Sequence, residues 1–489
     1  MKVLVANPPA YLWNDKRRYI QGGSRWSHSM MMSKEEVTSR RSQGFFPYTP
    51  YPFFLGYAAS YISDIADVKF IDGVVMNYDQ DDFLKHVLKF EPDLLVMETP
   101  TVSIELDMRL IGIIKEKLNL KVAVTGIHAS SQYSELLRTY KQIDFVLVNE
   151  YELTLHELIE KDLVGEEIKG LAFRKGDQIK FNGPRAVLKD ISSLPFPYRD
   201  RYVAFYDDFT IKGRPNIQMI TSRGCPVGCN FCYTTVFYEN PIYRYRNVDE
   251  IIDEIIFVIS EFRPKQLYFD DDTITINPKH ISDMAKAMIK ENIDIPWTCM
   301  GDITVKRENL QIMKKAGCVG MKFGVESSNP ETLKLMHKGI VSADKTFRFR
   351  QMLREEGLWA HATFSLGHPG DDPQAIVRTL EFAKKLRPNS LQVSIATPIP
   401  GTSFYEDAKR NDWLISSNWN DFDGNKGTVL NYPNLSHDEI DRLRKEFEIF
   451  WDEEKLKFPT RIKNIYFKKD EIINRKLGKY PRLEKVDLD

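Results

Sequence analysis

The chain has 489 residues, 42% of them hydrophobic and 28% charged, with a formal net charge of −1. At ~150 residues per domain that length implies about three domains, and the near-neutral balance gives no global pull toward nucleic acid. No apolar run reaches the ~18 residues of a membrane span, and the apolar start Met1–Ala6 is too short for a signal peptide, so a cytoplasmic location is expected.

Over the first 170 residues, short apolar runs at Lys2–Ala6, Val68–Ile71, Asp93–Met97, Lys121–Thr125 and Phe145–Val148 read as buried strands. Helical periodicity separates them at Phe53–Ile62, Asp81–Phe90, Glu105–Leu118, Gln132–Tyr140 and Glu152–Glu160. This alternation predicts a Rossmann-like, doubly wound parallel sheet, whose ligands lie at the carboxyl ends of the strands. Those ends carry Asn7-Pro8-Pro9, Asp72-Gly73, Thr99-Pro100-Thr101, Gly126-Ile127-His128-Ala129-Ser130 and Asn149-Glu150-Tyr151-Glu152. No glycine-rich phosphate loop is present, which disfavours a dinucleotide or ATP.

Between the first two strands, Tyr11 to Pro50 reads as a long structureless insert. It carries Lys16, Arg17, Arg18, Arg25, Arg40 and Arg41 among Trp13, Tyr19, Trp26 and a Met30-Met31-Met32 run. A clamp for an anionic or ring-bearing substrate and a solvated loop are equal readings. Gly22-Gly23 reads as a plain turn.

Residues 171–211 read as a linker that opens with a β-hairpin around Gly176-Asp177. From 212 to 405, six strand candidates recur at Ile217–Thr221, Gln266–Phe269, Trp297–Met300, Gly320–Gly324, Ala360–Leu366 and Leu391–Ala396, each followed by a helical stretch. Asn247 and Glu250 read as a capping box for the first long helix. Repeated β-α units predict a partial (β/α)6 barrel with its chemistry at the carboxyl ends of the strands.

The strongest motif follows the first of these strands: Cys225-Pro-Val-Gly-Cys229-Asn-Phe-Cys232. Three of the five cysteines fall within eight positions. An odd number argues against disulfides, and a structural zinc site wants a fourth ligand nearby. Three thiolates on a tight loop suit an iron–sulfur cluster with one iron left open. Further along, Asp270-Asp271-Asp272 repel one another unless they meet a cation or solvent. Cys299 and Cys318 read as core thiols.

Cys225, Cys229 and Cys232, with Phe231 before the last, resemble the signature of radical S-adenosylmethionine (SAM) enzymes. In that family three cysteines hold a 4Fe–4S cluster, SAM chelates the fourth iron, and an electron from the cluster cleaves SAM to a 5′-deoxyadenosyl radical. The resemblance extends over residues 1 to about 430. It implies SAM contacts from Asp270, Asp271 and Asp272, from Glu326 and Ser327 after the fourth strand, from the Gly367-His368-Pro369-Gly370 turn through Gly367 and Pro369, and from Pro398. The first domain resembles the cobalamin-binding domain that precedes many such barrels, with contacts from Asn7, Pro8, His128, Ser130 and Glu150. Two departures stand out: no Asp-x-His-x-x-Gly motif is present, and the family's Gly-x-Gly-Glu reads Asn149-Glu150-Tyr151-Glu152.

Residues 406–489 are expected to be a helical, basic region. Ser436 to Glu439 opens an amphipathic helix, and the stretch from Lys455 to Lys479 interleaves basic and aromatic residues. Such a surface suits contact with lipid headgroups, hence a lipid-like as well as a small-molecule substrate and peripheral membrane association. The reading is a cobalamin-dependent radical SAM C-methyltransferase of an unactivated carbon, served by a flavodoxin- or ferredoxin-type electron donor. The alternatives are cyclisation, ring contraction or carbon–carbon bond formation without methyl transfer, and a non-catalytic cobalamin or redox sensor.

Overall fold

The computed structural model describes residues 1–9, 18–21, 28–44, 48–238, 242–339, 341–424 and 427–457. Two parallel sheets dominate it. The first contains β1 (Lys2–Asn7), β2 (Asp67–Asp72), β3 (Leu94–Glu98), β4 (Lys121–Thr125), β5 (Phe145–Leu147), β6 (Leu171–Lys175) and β7 (Gln178–Phe181), in the order 2-1-3-4-5-6-7. β1 to β5 are parallel, and β3 and the ends of its neighbours are fully buried, which is why these strands read as continuous apolar runs. The order reverses between β1 and β3, so the crevice for a ligand lies beyond Asn7 and Glu98. The hairpin β6–β7 is no free connector: it adds to the first sheet antiparallel to β5.

The expected structureless insert is also partly structured. Arg18–Gln21 and His28–Met31 pair as a two-stranded ribbon, and Lys34–Ser42 forms a helix with a Ser33/Glu36 capping box. Arg41 anchors that helix by donating to the Val75 carbonyl at 2.8 Å. Lys16, Arg17, Arg25, Trp13, Trp26 and Gly22-Gly23 lie outside the described residues.

The second sheet contains β8 (Asn216–Met219), β9 (Gln266–Phe269), β10 (Trp297–Gly301), β11 (Cys318–Glu326), β12 (Trp359–Leu366) and β13 (Ser390–Ile395), all parallel and in sequential order. This is the expected six-stranded partial barrel. The helix after β8, Val248–Phe262, does begin at Asn247, but no side-chain cap forms there. Glu250 is taken instead by the Arg246 guanidinium at 2.6 and 2.5 Å, a bidentate charged pair that outcompetes a single backbone N–H.

The two sheets share their cores. Tyr51, Phe53, Tyr57 and Val75 from the first unit pack into the barrel's apolar core. In return Tyr233, Phe237 and Tyr238, just after the cysteine motif, pack under the first sheet, with Phe54 and Phe237 rings 4.6 Å apart. The helix His437–Lys457 closes the barrel's last edge, with Ile440, Leu443 and Phe447 buried. The basic stretch beyond 457 lies outside the described residues, and among those described no helix is long and apolar enough to cross a membrane.

Trp297 is fully buried at the heart of the barrel, its indole N–H donating to the Ala316 carbonyl at 2.7 Å. Trp297→Ala is expected to cost about 3–5 kcal/mol through the cavity it leaves, measurable as a lowered denaturant midpoint.

Candidate active site

Sequence forces the cysteine loop into one shape. Gly224 sits at φ +89°, and a Cβ there would lie 2.0 Å from the Ile242 carbonyl oxygen, so only glycine fits. Its N–H is held by Asp272 at 2.7 Å, and Tyr233 donates its hydroxyl to the same carboxylate. Asp271 accepts from the Thr221 N–H at 2.9 Å and from the Thr221 and Ser222 hydroxyls. Burial pushes the Asp271 carboxyl up to about 6 against these donors. Two of the three aspartates therefore brace the strand end and the loop. Asn230 ties the far side of the loop to the carbonyls of Leu335 and Met336.

Cys225, Cys229 and Cys232 line one cavity of about 350 Å³. Burial pushes the Cys225 thiol up, Cys229 to about 11 and Cys232 to about 12. Thiolates form in such a place when a cationic group sits among them. Three thiols with open space beside them are a donor set that fits an iron–sulfur cluster with one iron left open. All three cysteines border that cavity, and Cys232 Sγ also accepts from the Thr234 hydroxyl at 3.3 Å.

Phe231, Asp270, Asp271, Asp272, Glu326 and Pro398, all expected from the sequence, line the same cavity. Glu326 sits at φ +60°, where β11 bulges, and pairs with Lys338 at 2.5 Å. A Cβ on Gly324 would come within 2.3 Å of that carboxylate, so Gly324 leaves the room in which the pair closes. Burial disfavours the Lys338 ammonium, but Glu326 and the Cys229 thiol outweigh it and its pKa is raised. A carboxylate and an ammonium side by side, next to an acidic Asp270, suit a zwitterionic amino-acid ligand. Lys338 was missed by sequence reasoning. It follows a short helix twelve residues beyond Glu326, and no local pattern marks it.

Other expected residues are placed elsewhere. Gly367 and Pro369 do not line the cavity; their turn is held from behind by Asp371, which accepts from the Gly367 and His368 N–H groups, and it presents His368 instead. Burial pushes His368 down to about 3, so it is neutral, and its Nε2 meets the Ser365 hydroxyl at 2.8 Å. Ser327 is buried against the Thr379 hydroxyl at 3.2 Å. Cys299 and Cys318 are buried core thiols.

Among the described residues that follow strands of the first sheet, only Thr101, beyond β3, reaches the cavity wall. Asn7 is buried, donating to Asp72 at 3.0 Å, and Pro8 is buried beside it. Ser130 donates to the Gly126 carbonyl and accepts the Asn149 N–H at 2.8 Å. His128 stands behind Thr101, 3.3 Å from its hydroxyl and edge-on to Trp419 at 4.9 Å; burial pushes it down to about 3. Asn149 holds φ +64°, a conformation asparagine shares with the family's glycine, whereas Tyr151 fills its place with a fully buried ring.

Glu150 is a correction. Its carboxylate is taken up by Arg223 at 2.9 Å and by Arg244 at 2.8 and 3.0 Å, leaving it no free edge for a ligand. Arg223 also pairs with Glu152 at 2.7 Å and lies over the rings of Phe54 and Tyr57 at 4.7 and 4.8 Å. All four charges are buried. Because Arg223 immediately precedes Gly224 and Cys225, this network bolts the cysteine loop to the first sheet.

A parallel sheet with a switch-point crevice thus faces a partial barrel with a three-thiol loop at its open end. The Radical SAM superfamily matches residues 219–383, which span the barrel from β8 through the helix after β12. An uncharacterized methyltransferase of Pyrococcus horikoshii is 30% identical over 407 residues, covering 82% of this chain and 87% of its own. The cytidylyl-2-hydroxyethylphosphonate methyltransferase of Streptomyces wedmorensis is 23% identical over 470 residues, covering 83% and 86%. Among solved structures, the radical SAM methyltransferase TsrM from Kitasatospora setae, with cobalamin and a [4Fe-4S] cluster bound, superimposes with a TM-score of 0.64 at 15% identity, covering 85% of this chain and 76% of its own. The chain belongs to the radical SAM superfamily.

Gly224→Ala is expected to abolish cluster assembly, read as loss of bound iron and sulfide, because the added methyl collides with backbone. Glu152→Gln should cost about 3–5 kcal/mol, because the buried network of two arginines and two glutamates is left with one uncompensated positive charge, and should appear as a lowered unfolding midpoint of the anaerobically purified protein.

Proposed function

We propose that this chain is a cobalamin-dependent radical SAM methyltransferase acting on an unactivated carbon. The observation that carries the reading is the single cavity that runs from the three cysteines to Thr101, at the switch point of the first sheet. When bound, the cluster supplies the electron that cleaves SAM, and cobalamin carries the methyl group.

The chain's own residues do the positioning. Cys225, Cys229 and Cys232 hold the cluster. Lys338 takes the SAM carboxylate, and Asp270 with Glu326 takes its ammonium. Phe231, Ile395 and Pro398 supply apolar wall on the barrel side. Thr101, backed by neutral His128, offers a hydroxyl toward the group on the first sheet. Tyr48, Phe422 and the strand ends of the barrel wall the cavity, which limits access of water and oxygen. The names of the curated methyltransferases and of the TsrM structure support the reading.

The test is anaerobic reconstitution with iron, sulfide and hydroxocobalamin, followed by reduction with SAM present. Near-stoichiometric cobalamin and steady formation of 5′-deoxyadenosine are expected. Cys229→Ala should lose both the cluster absorbance and SAM cleavage. An intact cluster with no retained cobalamin would remove methyl transfer from the reading and leave cyclisation or rearrangement. Only substoichiometric 5′-deoxyadenosine would favour a sensor.

A further inference from the structure

The cavity has a second end that the cofactor contacts do not use. Lys322 and Gly324 precede Glu326 on β11, and all three line the cavity. At ~3.3 Å per residue, Lys322 lies on the order of 10 Å deeper in the barrel than Glu326. The residue is only 5% exposed. It pairs with Asp208 at 2.6 Å and is surrounded by the rings of Tyr48, Phe209 and Tyr268 at 5.7, 5.9 and 5.2 Å.

Three features give this end a defined chemistry. First, Asp208 is buried and does not line the cavity whereas Lys322 does, so the member of the pair that contributes to the wall is the positive one. Second, an ammonium has three N–H donors, and Asp208 takes one. Third, the neighbouring wall adds no competing charge. Gln392 and Thr363 are neutral, and His361, in register with Lys322, is kept neutral by burial and by Lys322 itself.

The cavity's acids are used toward the other end. Glu326, paired with Lys338, and Asp270 serve the SAM ammonium in the reading above, Asp271 and Asp272 brace the cysteine loop, and Asp302 accepts from the N–H and hydroxyl of Thr304. A buried, caged cation is costly to keep and would be replaced by a packed apolar residue at little loss of stability. Its position on the cavity wall gives it something to bind.

We propose that the substrate carries an oxyanion, a carboxylate or a phosphate, and that Lys322 anchors it at the deep end of the cavity while the reacting carbon points toward the cysteine loop. This rests on reading the cavity as the place where SAM is cleaved. Lys322 is then a specificity determinant, and Tyr48, contributed by the first unit, is the wall that closes over it.

The experiment uses the reconstituted, reduced enzyme with SAM. A small-molecule extract of cells that make the protein is split on an anion exchanger, and each fraction is tested for its effect on 5′-deoxyadenosine formation. The retained, anionic fraction is expected to accelerate it several-fold, and the unretained fraction to have no effect. In Lys322→Met the ratio of stimulated to unstimulated rate should fall to near unity. Phosphatase treatment of the active fraction separates the two sources: stimulation lost marks a phosphate ester, and stimulation kept marks a carboxylate. Stimulation by the unretained fraction, by neither fraction, or undiminished in Lys322→Met would overturn the anchor. If Lys322→Met does not fold, the wild-type arms still decide whether the substrate is anionic, and Lys322→Gln, which keeps a polar side chain of similar length, carries the same test of the anchor. Absence of 5′-deoxyadenosine under every condition is a different failure: it overturns the catalytic reading, and the anchor with it.

Discussion

The arrangement depends on a buried charge network rather than on the cysteines alone. Arg223, Arg244, Glu150 and Glu152 are withdrawn from water together, with Arg223 stacked on Phe54 and Tyr57. Each charge is costly to bury, and only the mutual pairing of two arginines with two glutamates makes the desolvation bearable. Such a network tolerates little sliding, because a small shift would strand a charge. A second set, in which Glu254 bridges Arg199 and Arg246 at 2.6 and 2.5 Å, lies close by. The consequence is a fixed relation between the first sheet's carboxyl edge and the loop that carries Cys225.

That fixed relation gives the cavity its character. One wall comes from strand ends of the barrel, one from the cysteine loop, and the remainder from Tyr48, Thr101 and the segment with Phe422 and Gly424. Its charges are sorted. Near the cysteines they occur as the Glu326–Lys338 pair and the aspartates; deeper in the barrel they occur as Lys322 backed by Asp208. Trp419 covers His128, while Asn420 donates to Glu105 at 3.0 Å, so the C-terminal segment also grips the first unit.

Much of this was legible in the chain itself. The strands of both sheets announced themselves as apolar runs because parallel strands are covered on both faces, and the cysteine spacing could be read because three thiols so close together have few uses. The glycines at 224 and 324 were visible as letters, but what they make room for was not: the Ile242 carbonyl, which makes Gly224 necessary, and the Glu326–Lys338 pair beside Gly324 reach those positions only after folding. Glu150 shows the limit most clearly. Its place at a strand end suggested a ligand contact, yet its partners lie more than seventy residues away and claim it entirely.

The sequence by itself determined the fold class, the cysteine loop and the membership of the barrel, since each is written in local periodicity or in close spacing. Tertiary structure decided which carboxylates face the cavity and which brace the loop, that the hairpin after β5 joins the first sheet, and that Lys338 and Lys322 belong to the site. The physical reason is the same throughout: buried charges and hydrogen bonds are satisfied across large sequence separations, and which partners meet is set only when the two sheets close on each other.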